Sequence, residues 1–377
     1  SNRALFSIFT HNYARRALKI SIITFIEHYI LPKIHTMAAT IRDVAKRANV
    51  SVATVSRVLN GTAKVSDSAK DAVLKAQKEL GFYLNANART LAKKDSETIG
   101  ILVSDISDAY FGSMIKSCDV VANSLGKSLL ITQGFYDPVR EKNAIDSLLS
   151  HQCSGLIIHA MAIDDAVLSD YMSRFPAIVL VNRILKGYED RCVNIDNKGA
   201  MYKEIEYLIK NGHKKIAFIN SSFDIIDAHQ RKEGYLEAMK ENHLEVNEEL
   251  MLSVPPSLEG GAQAAEKLLQ VLKKDKNAFT AIACYSDTIA ASAMSIFENR
   301  GIKVPEEVSF TGFDDLFLSS CLSPALTTVR NPIEDMGKNA LLLSLDRASG
   351  ENKFKISPFK TELIVRKSVA NIKGKTE

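Results

Sequence analysis

Between Thr40 and Asn60 the chain places short hydroxyl side chains and a guanidinium at the start of a helical pattern: Ser51, Thr54 and Ser56, with Arg57 a turn further on. Hydroxyls of this kind bond to phosphate oxygens, and an arginine beside them can read the edge of a guanine. Two short helices must carry these groups. Thr40 caps the first, with Asp43 as its reciprocal partner, and Ile41, Val44, Ala45 and Ala48 share one apolar stripe. Asn49 tolerates the left-handed conformation that ends such a helix. Ser51 caps the second helix, whose Val55, Val58 and Leu59 face inward. The short turn between them makes the helices cross steeply, as in a helix-turn-helix. Taken alone, the pattern also fits a helical hairpin with a solvated polar face.

Charge favours the first reading. The 377 residues carry a net charge of +4, but residues 38–95 hold eleven Lys and Arg against five acids, and residues 1–37 hold five against one. A basic head on an acidic body points to a polyanion as partner of the head. The five cysteines are scattered and form no CxxC pair, which argues for reduced thiols and against both a disulfide framework and zinc. The eight histidines are scattered too, and neither a Gly-rich phosphate loop nor a nucleophile elbow is present, so an enzyme reading finds little support. No cofactor is expected.

Along the chain, the apolar run Ile20–Ile26 is broken by Glu27 and His28 and is too short for a membrane span. With Met37 just before the two helices, residues 1–36 are expected to be an added or upstream extension. A third helix follows Ser66, its Ala69, Val73, Ala76 and Leu80 on one face, and Gly81 closes it. Residues 85–94 form a short helical stretch, marginal by itself. From Thr98 the pattern alternates. Apolar runs Ile99–Val103, Leu129–Ile131, Leu156–Ile158 and Ile178–Val181 make one series; Ile216–Ile219, Ala281–Cys284 and Val308–Phe310 make a second. Helical stretches lie between them, at 111–125 and 140–149 in the first series and near 198–211, 230–242, 258–272 and 288–300 in the second. Buried strands alternating with helices mean parallel sheets, hence an α/β body of two similar subdomains with a cleft at the carboxyl ends of the strands.

These stretches carry a resemblance. Thr40–Asn60, Asn85–Lys94, Ile99-Gly100-Ile101, Gly312-Phe313-Asp314-Asp315 and Pro324–Val329 together resemble the lactose-repressor family of bacterial transcription regulators, from about Met37 to Val369. Asn85–Arg89, Val181–Leu185 and Ala283–Asp287 are similar to its galactose-responsive branch. The resemblance implies an N-terminal helix-turn-helix head (37–84), a hinge helix and linker (85–97), and a periplasmic-binding-protein-like effector domain (98–377). In that domain the N-subdomain would comprise 98–196 and 326–354, and the C-subdomain 197–325 and 355–372. It also implies a cytoplasmic homodimer on a pseudo-palindromic operator, with no membrane partner. The chain lacks a leucine heptad beyond Val369, which disfavours a tetramer.

Site residues follow from the same match. Thr40, Ser51, Val52, Ala53, Thr54, Ser56, Arg57 and Asn60 of the head, with Asn85, Ala88, Arg89 and Leu91 of the hinge, are implied to meet DNA, Leu91 as the wedge between base steps. Val52 and Ala53 offer only apolar contact where the lactose repressor has Tyr and Gln. A sugar effector, D-galactose in this branch, needs carboxylates and Arg for its hydroxyls. Arg231 and Asp314 match the family's cleft pair; Asn182 and Arg183, Asp105, Tyr110 and Phe111, and Ser286 and Asp287 follow three strands. Each has a plainer reading: Asp287 as a helix cap, Tyr110 or Phe111 as core, Asp315 as partner of a surface base, His213 as structural. Ser286 departs from the Asn of sugar-binding relatives, and Pro255-Pro256 stands where some carry a stacking aromatic. Another sugar or a purine, or a sugar-transport protein, are the rival readings.

Overall fold

The computed structural model describes residues 39–60, 64–82 and 96–374, of which 39–82 fall in one compact unit and 96–374 in another. The first unit is three helices: α1 (Ile41–Ala48), α2 (Val52–Asn60) and α3 (Asp67–Leu80). Local chemistry sets their ends. The Asp43 amide donates to Thr40 Oγ1 at 3.4 Å while the Thr40 amide donates to Asp43 Oδ2 at 2.8 Å, a reciprocal box. Asn49 turns left-handed at φ 53°, and Ser51 Oγ accepts from the Thr54 amide at 3.0 Å to start α2. Gly81, at φ 60°, closes α3 where a side chain would be strained. Ser66 holds the cap position of α3 without capping; its hydroxyl lies 3.4 Å from that of Ser68 instead. Val44, Val55 and Val73 are fully buried, one from each helix, and Ala45, Ala76 and Phe82 complete the core.

The second unit holds two sheets. The first is built from β1 (Thr98–Val103), β2 (Ser128–Gln133), β3 (Gly155–Ile158), β4 (Ile178–Val181) and β5 (Cys192–Val193), all parallel in the order β2-β1-β3-β4-β5. Helices α4 (Ala109–Ser124), α5 (Pro138–Ser150) and α6 (Asp165–Arg174) connect them. After α7 (Asn197–Lys210) come β6 (Ile216–Ser221), α8 (Ile226–Glu241), β7 (Met251–Val254), α9 (Leu258–Lys274), β8 (Ala281–Cys284), α10 (Asp287–Asn299), β9 (Ser309–Asp314), β10 (Thr327–Arg330), α11 (Ile333–Ser349) and β11 (Glu362–Ile364). The second sheet runs β11-β10-β9-β8-β6-β7, parallel except for β11 at its edge. Helices cover the strands, so both strand series read as continuous apolar runs.

The expected return to the first subdomain at residue 326 needs correction. Thr327–Arg330 pairs with Thr311–Asp314 and belongs to the second sheet, so the chain crosses only after Arg330. Helix α11 does belong to the first subdomain. Its Ser344 hydroxyl accepts from the Leu156 amide at 2.8 Å and donates to the Ala177 carbonyl at 2.6 Å, and Gly155 leaves it room: a Cβ there would sit 2.3 Å from Ser344 Oγ. Among the described residues no helix is long and apolar enough to cross a membrane.

One buried acid yields a testable consequence. Glu204 of α7 is wholly buried beside the Thr311 hydroxyl, and among the described residues neither carboxylate oxygen makes a well-formed hydrogen bond. Desolvation holds its carboxyl well above the ordinary value. Near pH 4 both folded and unfolded chains keep the proton; above that only the unfolded chain ionises freely, so stability falls as pH rises. The slope is about 1.4 kcal/mol per pH unit until the folded group titrates. Glu204→Gln removes this term. Its denaturation midpoint is therefore expected to exceed the parent's by a margin that widens from pH 4 to pH 7; a constant margin would refute the assignment.

Candidate functional site

On the first unit, α2 presents Ser51, Val52, Ala53 and Arg57 to solvent, with Val52 42% exposed, while Thr54 and Ser56 are half-buried. An apolar side chain left open at the start of a helix, followed by Arg57, suits contact with a thymine methyl and a guanine edge. The Ser51 and Thr54 hydroxyls lie 2.8 Å apart, and Thr40 spends its hydroxyl on Asp43. Asn60 ends α2. Asn85, Ala88, Arg89 and Leu91 lie outside the described residues.

In the second unit the carboxyl ends of β1, β3 and β4 face those of β6, β8 and β9, and polar side chains meet there. Asn182 directly follows β4 at φ 62°, and Asp314 ends β9 at φ 109°, followed by Asp315 at φ 54°. Left-handed backbone at non-glycine residues is costly and is held by the surrounding structure. Arg231 of α8 is 4% exposed. Its Nε donates to Asn197 Oδ1 at 3.0 Å and its Nη1 to the Tyr285 carbonyl at 2.5 Å. The guanidinium lies 3.6 Å from the Phe313 ring centre and 4.4 Å from that of Tyr285, with Nη2 3.9 Å from Asp314 Oδ1. Burial pushes the Asp314 carboxyl well up, and Arg231 opposes that shift. His159, after β3, bonds through Nδ1 to Ser104 Oγ at 2.9 Å, and burial lowers its imidazole to about 4, so the ring is neutral near pH 7. Arg231, Asp314, Asn182, Tyr285 and His159 line a cavity of about 40 Å³. A wider cavity of about 500 Å³ adjoins it, between Phe135, Tyr136, Phe223 and Pro255-Pro256.

Comparison with known proteins fits both units. Residues 40–85 match the model of bacterial regulatory proteins of the lacI family, and 205–369 that of the periplasmic binding protein-like domain. The chain is 43% identical over 307 residues, 81% of its length, to the HTH-type transcriptional regulator GalR of Salmonella typhimurium, covering 89% of that protein. The chain belongs to the lacI family. It is a DNA-binding transcriptional regulator. GalS of the same species is 42% identical, with 82% of this chain and 90% of that protein covered. Among solved structures, the transcriptional regulator CelR–cellobiose complex superposes with a TM-score of 0.63 at 27% identity, over 88% of this chain and 99% of that one.

Of the cleft residues expected in this lacI-family chain, Tyr110, Phe111, Asn182, Arg231, Ser286 and Asp314 line the inner cavity. Three do not. Asp105 lines the outer cavity, its Oδ1 taken by the Ser107 amide and hydroxyl at 2.8 and 2.7 Å. Arg183 turns away to the Ala160 carbonyl at 2.8 Å and Asp165 at 2.6 Å. Asp287 neither caps nor faces the cavity. Its carboxylate accepts from the Leu316 amide at 2.8 Å and from the Ser319 and Thr328 hydroxyls, both at 2.6 Å, so it ties α10 to the segment just past β9 and to β10. Ser286 is the cap of α10, with the Ile289 amide 3.4 Å from its Oγ. Asp315 pairs with Arg330 and Arg366, and His213 bonds to Thr280 and the Ala370 carbonyl. Asp108, Tyr136, His159, Asp227, Tyr285 and Thr288 line the cavity without having been expected there. His159 and Tyr285 share a signal, being polar residues that directly follow an apolar strand, whereas Asp108 caps α4. Asp227 was hidden because α8 begins at Ile226 rather than Gln230.

Asp287→Ala leaves three buried donors without their acceptor. It is expected to lower stability by about 3 kcal/mol or more in denaturant melts, while the folded fraction keeps its sugar affinity. Lost affinity at unchanged stability would return Asp287 to the ligand site.

Proposed function

We propose that this chain represses genes of galactose use. It binds a pseudo-palindromic operator as a homodimer and leaves it when D-galactose occupies the cleft between the two sheets. The observation that carries the reading is the buried Arg231 facing Asp314 over the Phe313 and Tyr285 rings, with Asn182 opposite. A guanidinium and a carboxyl group serve adjacent hydroxyls in opposite senses, and the Phe111 and Tyr136 rings that line the cavity suit the C–H side of a pyranose. Relatives named GalR and GalS support galactose over other sugars. The chain works in the cytoplasm by binding alone, without catalysis. Asn85, Ala88, Arg89 and Leu91 join the contacts of α2 on DNA.

Sugar acts only through its different affinities for the free and operator-bound forms, and linkage makes operator weaken sugar binding by the same factor. A second reading rests on Ser286. Its hydroxyl caps α10, so that wall lacks the amide that sugar-binding relatives place there, and the effector is then another sugar of the same class. Calorimetric titration of the full-length protein decides between them. Saturable heat with D-galactose, absent with D-glucose, D-ribose and hypoxanthine, is expected. Binding of another of these ligands with no response to galactose would overturn the galactose assignment.

A further inference from the structure

Asn331 lies just past β10, where the chain crosses from the second subdomain to the first, and is 4% exposed. It does not line the inner cavity. Its Nδ2 donates to two groups that do, and these stand on opposite walls: Tyr110 Oη of the first subdomain at 3.1 Å, and Asp314 Oδ1 of the second at 3.2 Å. The Asn331 amide also reaches the Asp314 carbonyl at 3.4 Å. Tyr110 Oη also accepts from Asn182 Nδ2 at 2.8 Å. Asn331 Oδ1 is buried without a hydrogen-bond partner.

We infer that Asn331 is a positioning residue for the sugar site. From behind the cavity it holds Tyr110 and Asp314 in register across the crossover and thereby orients the groups that meet the ligand. Because it stands outside the lining, a sugar need not displace it. The inference rests on the cleft being the sugar site. A residue serving stability alone would lower the melting temperature without touching ligand affinity.

The test uses the full-length protein, with D-galactose as probe. Asn331→Ala is expected to bind D-galactose about tenfold more weakly, as loss of two hydrogen bonds implies, with operator affinity in the absence of sugar unchanged. The ligand-free variant should exchange backbone amide hydrogens faster in segments 104–112 and 310–316. Tyr110→Phe supplies a cycle: the double variant should be little worse than the poorer single one, since both break one network. Strictly additive losses, or a lowered melting temperature at unchanged sugar affinity, would overturn the proposal. If the parent protein binds no galactose, the sugar reading fails separately, and amide exchange still decides whether Asn331 ties the two walls: unchanged exchange overturns it.

Discussion

Arg231→Ala is expected to yield a protein that holds its operator and ignores sugar. The guanidinium makes two hydrogen bonds to its surroundings and keeps Nη2 near Asp314 at the cavity wall. Charge-assisted bonds to a ligand contribute about 1.5–3 kcal/mol each, so losing two weakens D-galactose binding by about 100-fold or more. Arg231→Lys separates charge from shape. An ammonium keeps the charge but cannot span Asn197, the Tyr285 carbonyl and the ligand at once, so an intermediate loss is expected. Calorimetry measures the affinity, and the melting temperature of each variant shows whether the subdomain remains folded. Galactose binding at parental strength by a folded Arg231→Ala protein would remove this residue from the site.

Arg57→Ala is expected to weaken operator binding by about 10- to 100-fold, the range of one good base contact of about 1–3 kcal/mol. Arg57 is exposed on α2 and contributes nothing to the Val44–Val55–Val73 core, so the head should melt as before. Two contact types are distinguishable. If Arg57 reads a base, the loss concentrates on duplexes with the correct base at one position. If it binds phosphate, all duplexes weaken together, and the slope of log affinity against log salt falls by about one. Unchanged affinity for every duplex would exclude it from the interface.

The sequence revealed most where the determinants are local. Thr40, Asn49, Ser51 and Gly81 act on the backbone within a turn of themselves, so the ends of the head helices could be read directly. Long apolar runs such as Ile99–Val103 likewise announce buried strands. The edge strands β5, β7 and β11 went unread: β5 has two residues, and β7 and β11 are only partly buried, so they lack the continuous apolar run that marks the equally short β3, β4 and β8. The crossing point was misplaced for another reason. Leu326–Val329 would be equally apolar in either sheet, and only pairing with Thr311–Asp314, many residues away, decides which.

The same division runs through the cleft. The chemistry was legible: Arg231, Asp314, Asn182 and Tyr110 come together as the residue types suggested. Direction was not. Asn182 and Arg183 are neighbours, yet one lines the cavity and the other pairs with Asp165, because the left-handed turn at Asn182 just past β4 redirects the chain. Ser286 and Asp287 divide likewise, one at the cavity wall and one locked beneath it. Asn331 could not have been singled out from sequence, since its role depends on Tyr110, 221 residues away.

The central claim is that sugar in the cleft and operator on the head are coupled. Fluorescence anisotropy of a labelled pseudo-palindromic galactose-type operator, titrated with the full-length protein at fixed salt with and without D-galactose, tests it most directly. Tight binding, well above that to a random duplex and weakened by the sugar, is the expected result. Operator binding that D-galactose leaves unchanged, or no preference over random duplex, would contradict it.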